Sequence, residues 1–471
     1  MNSKTLNSPP PANGFLTPAT GSFLRIRDVL AFVCLALALA WSLKHVESSS
    51  RLILVPAALF CLLASPASGP FLLIIGYLVP QTVLGGPSVA ALPWFLLGMM
   101  AVNYAFGVVR KHKGPQAAMP WAAVVCFAGY ALIQILASVI ATDENIFERD
   151  RWLVLPFFLL CLWQFRIPAG RNGAILALVI SSVGLSLRAI VYPSEAAHTA
   201  AEAERGMGLA DPNYLACWID LGLIPLFAYL AAGRRNKTYY ALLLPIFGII
   251  CLCGYALSLG ISRGMGIALS LVLVFILLHE FAKRPLVGVG LFVGLAFAAV
   301  LLWHSPVCDG YRKRVESGGS GERFELATTA LDKWGGFSLP EQIIGHGSGS
   351  TYRLLGMHAH NAYTEVLLDF GALGLILFLL LMALALRSAF QQTGVFRLTT
   401  FAWLIFLSVA SLSISPFYYL WGWIILALIL PAPSKKQILQ TTTPLPVLIQ
   451  STSRFLEKWL GSTPKRCEPL Q

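Results

Sequence analysis

Charge is scarce in this chain of 471 residues: only 12% of its residues are Asp, Glu, Lys or Arg, whereas 57% are hydrophobic. This balance excludes an ordinary water-soluble globular protein and indicates a chain with many membrane spans. Its apolar runs are continuous rather than alternating, which favours transmembrane helices over the strands of a membrane barrel. The sequence therefore predicts an all-α, polytopic integral membrane protein with about 12–14 transmembrane helices.

Groupings of Cys and His that would suit a metal are also missing. Most of the nine cysteines lie within apolar runs, where a thiol behaves as a small hydrophobic group. No Cys or His cluster has the spacing of a zinc site, and the chain has neither a Walker loop nor a dinucleotide fingerprint. It also lacks the internal repeat that many transporters carry. We therefore expect no metal and no cofactor.

Basic residues outnumber acidic ones, 34 to 22, which gives a formal net charge of +12. They cluster in short loops between apolar runs, as the positive-inside rule describes for cytoplasmic loops. The residues are Arg110, Lys111 and Lys113; Arg166 and Arg171; Arg234, Arg235 and Lys237; Lys283 and Arg284; Arg387 and Arg397. We interpret this charge as an orientation signal, so the expected partners include membrane lipids and no nucleic acid.

The apolar runs divide the chain into a leader, a membrane domain and a tail. Residues 1–26 are rich in Pro, Ser and Asn and are predicted to form a disordered cytoplasmic leader. Residues 27–432 form the transmembrane domain, and residues 433–471 form a basic cytoplasmic tail. Within the domain, residues 304–362 form the one long hydrophilic loop, which alternation places in the periplasm. Its apolar residues predict one or two helices near the membrane surface.

His360 stands where this loop meets the apolar run Val366–Leu386. An imidazole titrates near neutral pH and suits a general base, so this position favours chemistry at the membrane surface. Asn361 follows directly. Glu365 and Asp369 come four residues apart on one helical face, where they are expected to orient His360 or to pair with arginines.

Arginines on the predicted outer side are few: Arg205, Arg263 and Arg323 are the main candidates. An Arg at the short outer turn around residue 263 departs from the positive-inside preference and needs a partner or a use. A guanidinium donates two hydrogen bonds to phosphate at once and stays charged. Together with His360, these arginines indicate transfer from a phosphate-activated lipid donor outside the cell.

Three stretches of the chain resemble the O-antigen ligase/polymerase superfamily. They are His360-Asn361 followed after nine residues by Gly371-Ala-Leu-Gly374; Ser262-Arg263-Gly264; and Arg205-Gly-Met-Gly208 with Asp211-Pro212-Asn213. Their order, and the large loop ahead of the His, also fit that family. The similar region covers about residues 200–386, or roughly two fifths of the chain.

The resemblance implies a metal-independent, inverting glycosyltransferase of the bacterial inner membrane whose active site faces the periplasm. Its donor would be an undecaprenyl-diphosphate-linked glycan, held by Arg205 and Arg263. His360 would activate the acceptor hydroxyl. We expect Arg323 and Asn361 to contact substrate as well. Asp211, Asn213, Glu365 and Asp369 are expected to support the site.

Two kinds of alternative stay open. Within the family, an O-antigen ligase with lipid A–core as acceptor is our first choice, and an O-antigen or exopolysaccharide polymerase with a glycan acceptor is the alternative. From another class, the chain would be a non-enzymatic flippase or transporter of lipid-linked glycans. Such a protein should carry charges deep in several spans, whereas the charges here collect near the span ends.

The predicted topology can be tested with the cysteines. Cys308 lies in the predicted periplasmic loop, so a membrane-impermeant thiol reagent should label it in intact cells. Cys467 lies in the predicted cytoplasmic tail and should react only after lysis. If Cys308 reacts in detergent but needs lysis in cells, the topology is wrong.

Overall fold

The structure is a computed structural model that describes residues 117–140, 154–191, 212–232, 237–260, 262–304, 321–357, 359–415 and 420–431. The predicted leader, the apolar runs before residue 117, residues 305–320 and the predicted tail lie outside the described residues. The predictions made for those segments therefore stay predictions.

Every secondary-structure element among the described residues is a helix, and none is a strand, which confirms the all-α prediction. They form α1 (Trp121–Ile140), α2 (Val154–Phe165), α3 (Pro168–Val191), α4 (Pro212–Ala232), α5 (Lys237–Gly260), α6 (Arg263–Lys283), α7 (Pro285–Trp303), α8 (Gly321–Gly335), α9 (Leu339–Ile344), α10 (Ser350–Leu355), α11 (Ala362–Gln391), α12 (Gly394–Ala410) and α13 (Leu420–Ile429).

Within the described part of the chain, six helices are long and apolar enough to cross a membrane: α1, α3, α4, α5, α6 and α11. Helices α2 and α12 are shorter and also apolar. A span takes about 20 residues because a helix rises about 1.5 Å per residue through a hydrocarbon layer about 30 Å thick. The protein is therefore a multi-pass membrane protein. The predicted total of spans extends over residues that are not described.

Helix α4 lies at the centre of one half of the bundle, in contact with α3, α5, α6 and α12. Pro225 lies inside it, and because proline has no N–H, the carbonyl of Leu221 loses its helical partner. The indole N–H of Trp403 on α12 donates to that carbonyl at 3.0 Å. The proline is thus accommodated because a neighbouring helix supplies the missing donor, as buried backbone groups require.

The other half of the bundle is built on aromatic packing between α1, α2, α11 and α13. Phe127 meets Phe158 with ring centroids 4.1 Å apart and Trp423 at 4.9 Å. Tyr130 contacts Trp423 at 5.6 Å and Phe370 at 5.5 Å. Tilted and edge-on rings at these distances are the favoured arrangements, and they hold α2, α11 and α13 against α1.

The far ends of α11 and α13 are joined by hydrogen bonds that cap α13. The hydroxyl of Ser388 lies 2.9 Å from the carbonyls of Ile429 and Leu430. The amide of Gln392 donates to the carbonyl of Pro431 at 2.9 Å. The last carbonyls of a helix have no partner within it, so Ser388 supplies a donor that the end of α13 lacks.

The predicted outer loop holds three short helices, α8, α9 and α10, where the sequence predicted one or two. The difference comes from local start and stop signals. Ser338 and Glu341 form a capping box that begins α9. Gly345 follows α9 with a φ of 88°, and Gly356 follows α10 with a φ of 73°. Left-handed glycines terminate helices, so the loop is divided into short segments.

The capping box also sets the charge of its acid. The Ser338 hydroxyl and backbone N–H both donate to Glu341, at 2.7 and 2.8 Å, and lower the pKa of that carboxyl; nearby His346 lowers it further. A carboxyl whose pKa is lower in the folded state than in the unfolded state stabilises the fold, and this stabilisation is complete above the ordinary pKa of Glu. It is lost as the pH falls through the lowered value.

The close crossing of α3 and α4 gives a stability prediction. A Cβ at Gly222 would collide with the Ser182 side chain and would lie 2.5 Å from the Leu178 carbonyl oxygen. Gly222→Ala should therefore reduce stability by about 1–3 kcal/mol, as overpacking does. Thermal unfolding of the detergent-purified protein measures it.

Gly254→Ala is the matched control, because nothing lies within 4 Å of the added Cβ on α5. It should leave stability unchanged or raise it by up to about 1 kcal/mol, since Ala is the better helix former. Equal unfolding temperatures for both variants would contradict the close packing of α3 on α4.

Candidate active site

The start of α11 sets the position of His360. Asn361 is the N-cap: its side-chain oxygen accepts from the backbone N–H groups of Tyr363 at 3.0 Å and Thr364 at 3.3 Å. His360, just before it, has a φ of 51° and is the one described non-glycine residue with positive φ. His is among the side chains that tolerate this left-handed conformation, which turns the loop sharply into the helix.

The end of α12 holds this turn in place. The N–H of Ala362 donates to the carbonyl of Ser411 at 2.8 Å, and the Tyr363 hydroxyl donates to the carbonyl of Ser408 at 3.2 Å. Carbonyls at a helix C-terminus and N–H groups at a helix N-terminus both lack partners within their own helices. Here the N–H group at the start of α11 bonds to the carbonyl at the end of α12, so His360 is fixed beside the end of α12.

Two of the three sequence motifs meet elsewhere on the bundle. The Ser262 hydroxyl donates to the side-chain oxygen of Asn213 at 2.7 Å, joining the start of α4 to the start of α6. Ser262 is also the N-cap of α6 and accepts from the N–H of Met265 at 3.4 Å. Helix α4 begins at Pro212, where proline suits the first turn. Residues 49 positions apart are thus brought into direct contact.

The described parts of the three motifs lie at one end of the helix bundle. Trp403 lies two turns before the end of α12, and Leu221 lies between two and three turns after the start of α4. Phe401, just before Trp403, contacts Phe275 twelve residues after the start of α6, so α12 runs antiparallel to α4 and α6. The hydrogen bond therefore places the end of α12 level with the start of α4. Since Ser411 contacts the start of α11, the residues His360, Asn213 and Ser262 share one face of the bundle.

Asp369 is fully buried and serves a role that the sequence did not specify. One carboxylate oxygen accepts from the Ser350 hydroxyl at 2.7 Å and from the N–H and hydroxyl of Thr351 at 2.8 Å each. The other accepts from the N–H of Gly349 at 2.9 Å. Charge-assisted bonds of this kind are about twice as strong as neutral ones. Asp369 therefore anchors α10 to α11.

A break in α11 lies two residues further on, at Gly371. This glycine has a φ of 66° and a ψ of −172°, which interrupts the helix. The carbonyls of Leu368 and Asp369 then accept from the backbone N–H groups of His346 and Gly347, at 3.1 and 2.8 Å. The backbones of residues 343–345 and 369–371 approach so closely that a Cβ at Gly345 or Gly371 would collide with the other strand of chain. The first glycine of the Gly-x-x-Gly motif is thus needed for this contact.

The structure describes the other predicted residues fully, by their backbone only, or not at all. Glu365 is fully buried one turn into α11, on the same helix as Asp369. Arg263 is the first residue of α6 and Arg323 lies in the first turn of α8, and their side chains are not described. Arg205 and Asp211 lie outside the described residues. The predicted group of guanidiniums around His360 therefore stays a prediction.

Sequence reasoning missed Ser350, Thr351 and Ser411, which hold the site together. Ser and Thr are common in loops, and nothing in their own sequence context indicates contact with a residue 18 or more positions away. The sequence feature that could have indicated this contact is the group of glycines at 345, 347 and 349. They all have positive φ and form the turn that lets these donors surround Asp369.

No protein-family model matches this chain, and no curated protein is significantly similar to it. The functional argument therefore rests on the residues themselves and on how the bundle arranges them.

The contact between residues 345 and 371 gives a prediction with an internal control. Gly356→Ala places a side chain in the left-handed helical region, which costs about 1–2 kcal/mol. Gly345→Ala places one at a ψ of −176°, a region that essentially only glycine adopts, at about 1–3 kcal/mol. At Gly345 the new Cβ would also lie 2.5 Å from the Gly371 nitrogen, whereas at Gly356 nothing lies within 4 Å. Gly345→Ala should therefore be less stable than Gly356→Ala by a further ~1–3 kcal/mol.

Thermal unfolding in detergent compares the two variants. Hydrogen exchange adds a local readout, since only Gly345→Ala should expose the amides of His346 and Gly347. Equal stability and equal exchange would show that the loop does not depend on its contact with α11.

Proposed function

We propose that this protein is a metal-independent, inverting glycosyltransferase of the bacterial inner membrane. It transfers an undecaprenyl-diphosphate-linked glycan to an acceptor hydroxyl at the periplasmic face. The observation that carries the proposal is the hydrogen bond between Asn213 and Ser262, which joins two of the three motifs. His360 from the third motif lies on the same face of the bundle.

The chemistry follows from these residue types. The imidazole of His360 accepts the proton of the acceptor hydroxyl as its oxygen attacks the anomeric carbon. The bond between that carbon and the diphosphate oxygen breaks, and undecaprenyl diphosphate leaves with the electron pair. Attack from the face opposite the leaving group inverts the anomeric configuration. Arg205 and Arg263 bind the diphosphate, and their charge stabilises the negative charge that develops on it.

Three structural features support a rigid site. The positive φ of His360, the Asn361 cap and the hydrogen bond from Ala362 to Ser411 fix the backbone on both sides of the base. A catalytic group held by its neighbours loses little freedom when substrate binds, which lowers the barrier to reaction. Asn361 is occupied as the helix cap, so its side chain supports the site by shaping the turn.

We favour ligation to lipid A–core over polymerisation onto another glycan repeat, and the two differ only in the acceptor. A flippase or transporter of lipid-linked glycans is the proposal from a different class. It is disfavoured because the described charges on the spanning helices gather near the helix ends, with Asp220, Glu365 and Asp369 as buried exceptions.

His360→Asn is the sharpest test of the proposed base. Asn also adopts positive φ, so the turn into α11 should keep its shape, but an amide cannot take up the proton. Loss of a general base typically lowers the rate by 10²–10⁴-fold. The purified variant, supplied with lipid-linked glycan and lipid A–core, should therefore release almost no undecaprenyl diphosphate at unchanged unfolding temperature.

His346→Asn is the control, because this imidazole lies on the same outer loop and contacts Phe337 at a tilt, with ring centroids 4.0 Å apart. It should retain most of the transfer activity. Near-normal transfer by His360→Asn, or equal loss in both variants, would overturn the role of His360. Growth of the glycan on itself without lipid A–core would instead identify a polymerase. Translocation of the donor across vesicles without transfer would identify a flippase.

A further inference from the structure

Asp220 is a carboxyl group buried in the membrane-spanning part of α4, with 1% of its surface exposed. It lies seven residues after Asn213, so it is on the same face of the helix and about 10 Å deeper in the bundle. Within the part of the chain that the structure describes, its Oδ1 atom has no hydrogen-bond partner. The atom also has no contact with solvent.

The adjacent α3 carries three hydroxyl groups. That of Ser181 is buried and has no hydrogen-bond partner among the described residues, Asp220 included, and the other two donate elsewhere. The Ser182 hydroxyl donates to the carbonyl of Leu178 at 2.8 Å and lies 3.1 Å from that of Trp218. The Ser186 hydroxyl donates to the carbonyl of Ser182 at 2.7 Å. A hydroxyl carries a single hydrogen, so neither serine has one left to donate to Asp220.

The four helices packed on α4 bring few titratable groups towards Asp220. Cys217 on α4 itself and Cys253 on α5 are close enough to interact with it electrostatically. The described charged and titratable side chains of the other neighbours lie near the opposite helix ends. These are Arg171 on α3, His279, Glu280 and Lys283 on α6, and Arg397 on α12. Arg188 on α3 and Arg263 on α6 lie nearer the outer end, and their side chains are not described.

The geometry limits what Asp220 can bind. A metal cation needs several ligands, and no group of three or more His, Cys, Asp or Glu residues in the described ranges is arranged to hold one. A water molecule needs space and two or more polar partners, and Oδ1 has no accessible surface. A proton needs neither space nor further ligands. An ionised, unpaired carboxylate at this depth is also costly.

We propose that Asp220 is a proton-binding site within the membrane and carries its proton at neutral pH. Loss of the proton would place a bare charge on the face of α4 that holds Asn213 against Ser262. The charge can be relieved by the entry of water or by rotation of α4, and either change disturbs the start of that helix. The protonation of Asp220 thereby controls the contact that joins the two outer motifs.

Infrared spectroscopy tests the proton directly and does not depend on the proposed transferase activity. Spectra of the purified full-length protein at neutral pH should contain the carbonyl stretch of a protonated carboxylic acid, and Asp220→Asn should lack that band. Glu280→Gln, which alters another buried acid, should retain it. If Asp220→Asn instead removes carboxylate bands, a cation pairs with Asp220 and the proposal is wrong.

Stability as a function of pH is the second measurement. Asp220 would bind a proton in the folded state at pH values where an unfolded Asp, with a pKa near 3.9, does not. The folded state then holds more protons, so its stability falls as the pH rises until Asp220 ionises. Asp220→Asn lacks this dependence. Its unfolding temperature should exceed that of the wild type by an amount of the order of 2–4 °C at pH 8, with a smaller difference at pH 5.

For Glu280→Gln, the difference in unfolding temperature from the wild type should not increase between pH 5 and pH 8. A constant offset between wild type and Asp220→Asn at all pH values would contradict the proposal. In membranes with transfer activity, alkaline pH should weaken transfer by the wild type more than by Asp220→Asn. Equal pH profiles would show that the proton does not reach the outer site.

Discussion

The half of the bundle that holds α8, α9 and α10 depends on the break of α11 at Gly371. A continuous helix would use the carbonyls of Leu368 and Asp369 for its own hydrogen bonds. Because the helix is interrupted, those carbonyls face the loop and accept from His346 and Gly347. Asp369, on the last turn before the break, adds a charged acceptor for Gly349, Ser350 and Thr351. A loop of short helices thereby becomes a fixed part of the bundle.

Non-helical backbone at membrane depth is tolerated only where protein or an aqueous cavity satisfies it. At two places in this structure, a backbone carbonyl that loses its helical partner finds a donor elsewhere in the protein. At Gly371 the loop backbone satisfies the released carbonyls. At Pro225 the indole of Trp403 satisfies the carbonyl of Leu221. Both places connect helices that are far apart in sequence, so irregular backbone is used here to join elements of the bundle.

These connections bear on the proposed chemistry. Trp403 ties α12 to α4, and the end of α12 holds the start of α11 through Ser411. His360, the serine–asparagine contact and the loop thus form one continuous set of packed elements. In the proposed reaction this matters because misplacement of a catalytic group by about 1 Å lowers the rate by about 10²-fold. Asp220 lies within the same set, two turns below Asn213, and its charge state acts on the helix that carries the asparagine.

The sequence by itself determined the class of the protein and the positions of its long apolar helices. Hydrophobic runs of about 20 residues must be helical in a bilayer, so the bounds of α4, α5 and α6 follow from hydropathy and from Pro212. The left-handed turn at His360, the contact of Asn213 with Ser262 and the anchoring of α10 by Asp369 were decided by the tertiary structure. Each depends on partners that come together only when the helices pack, and hydropathy carries no information about which polar groups will meet.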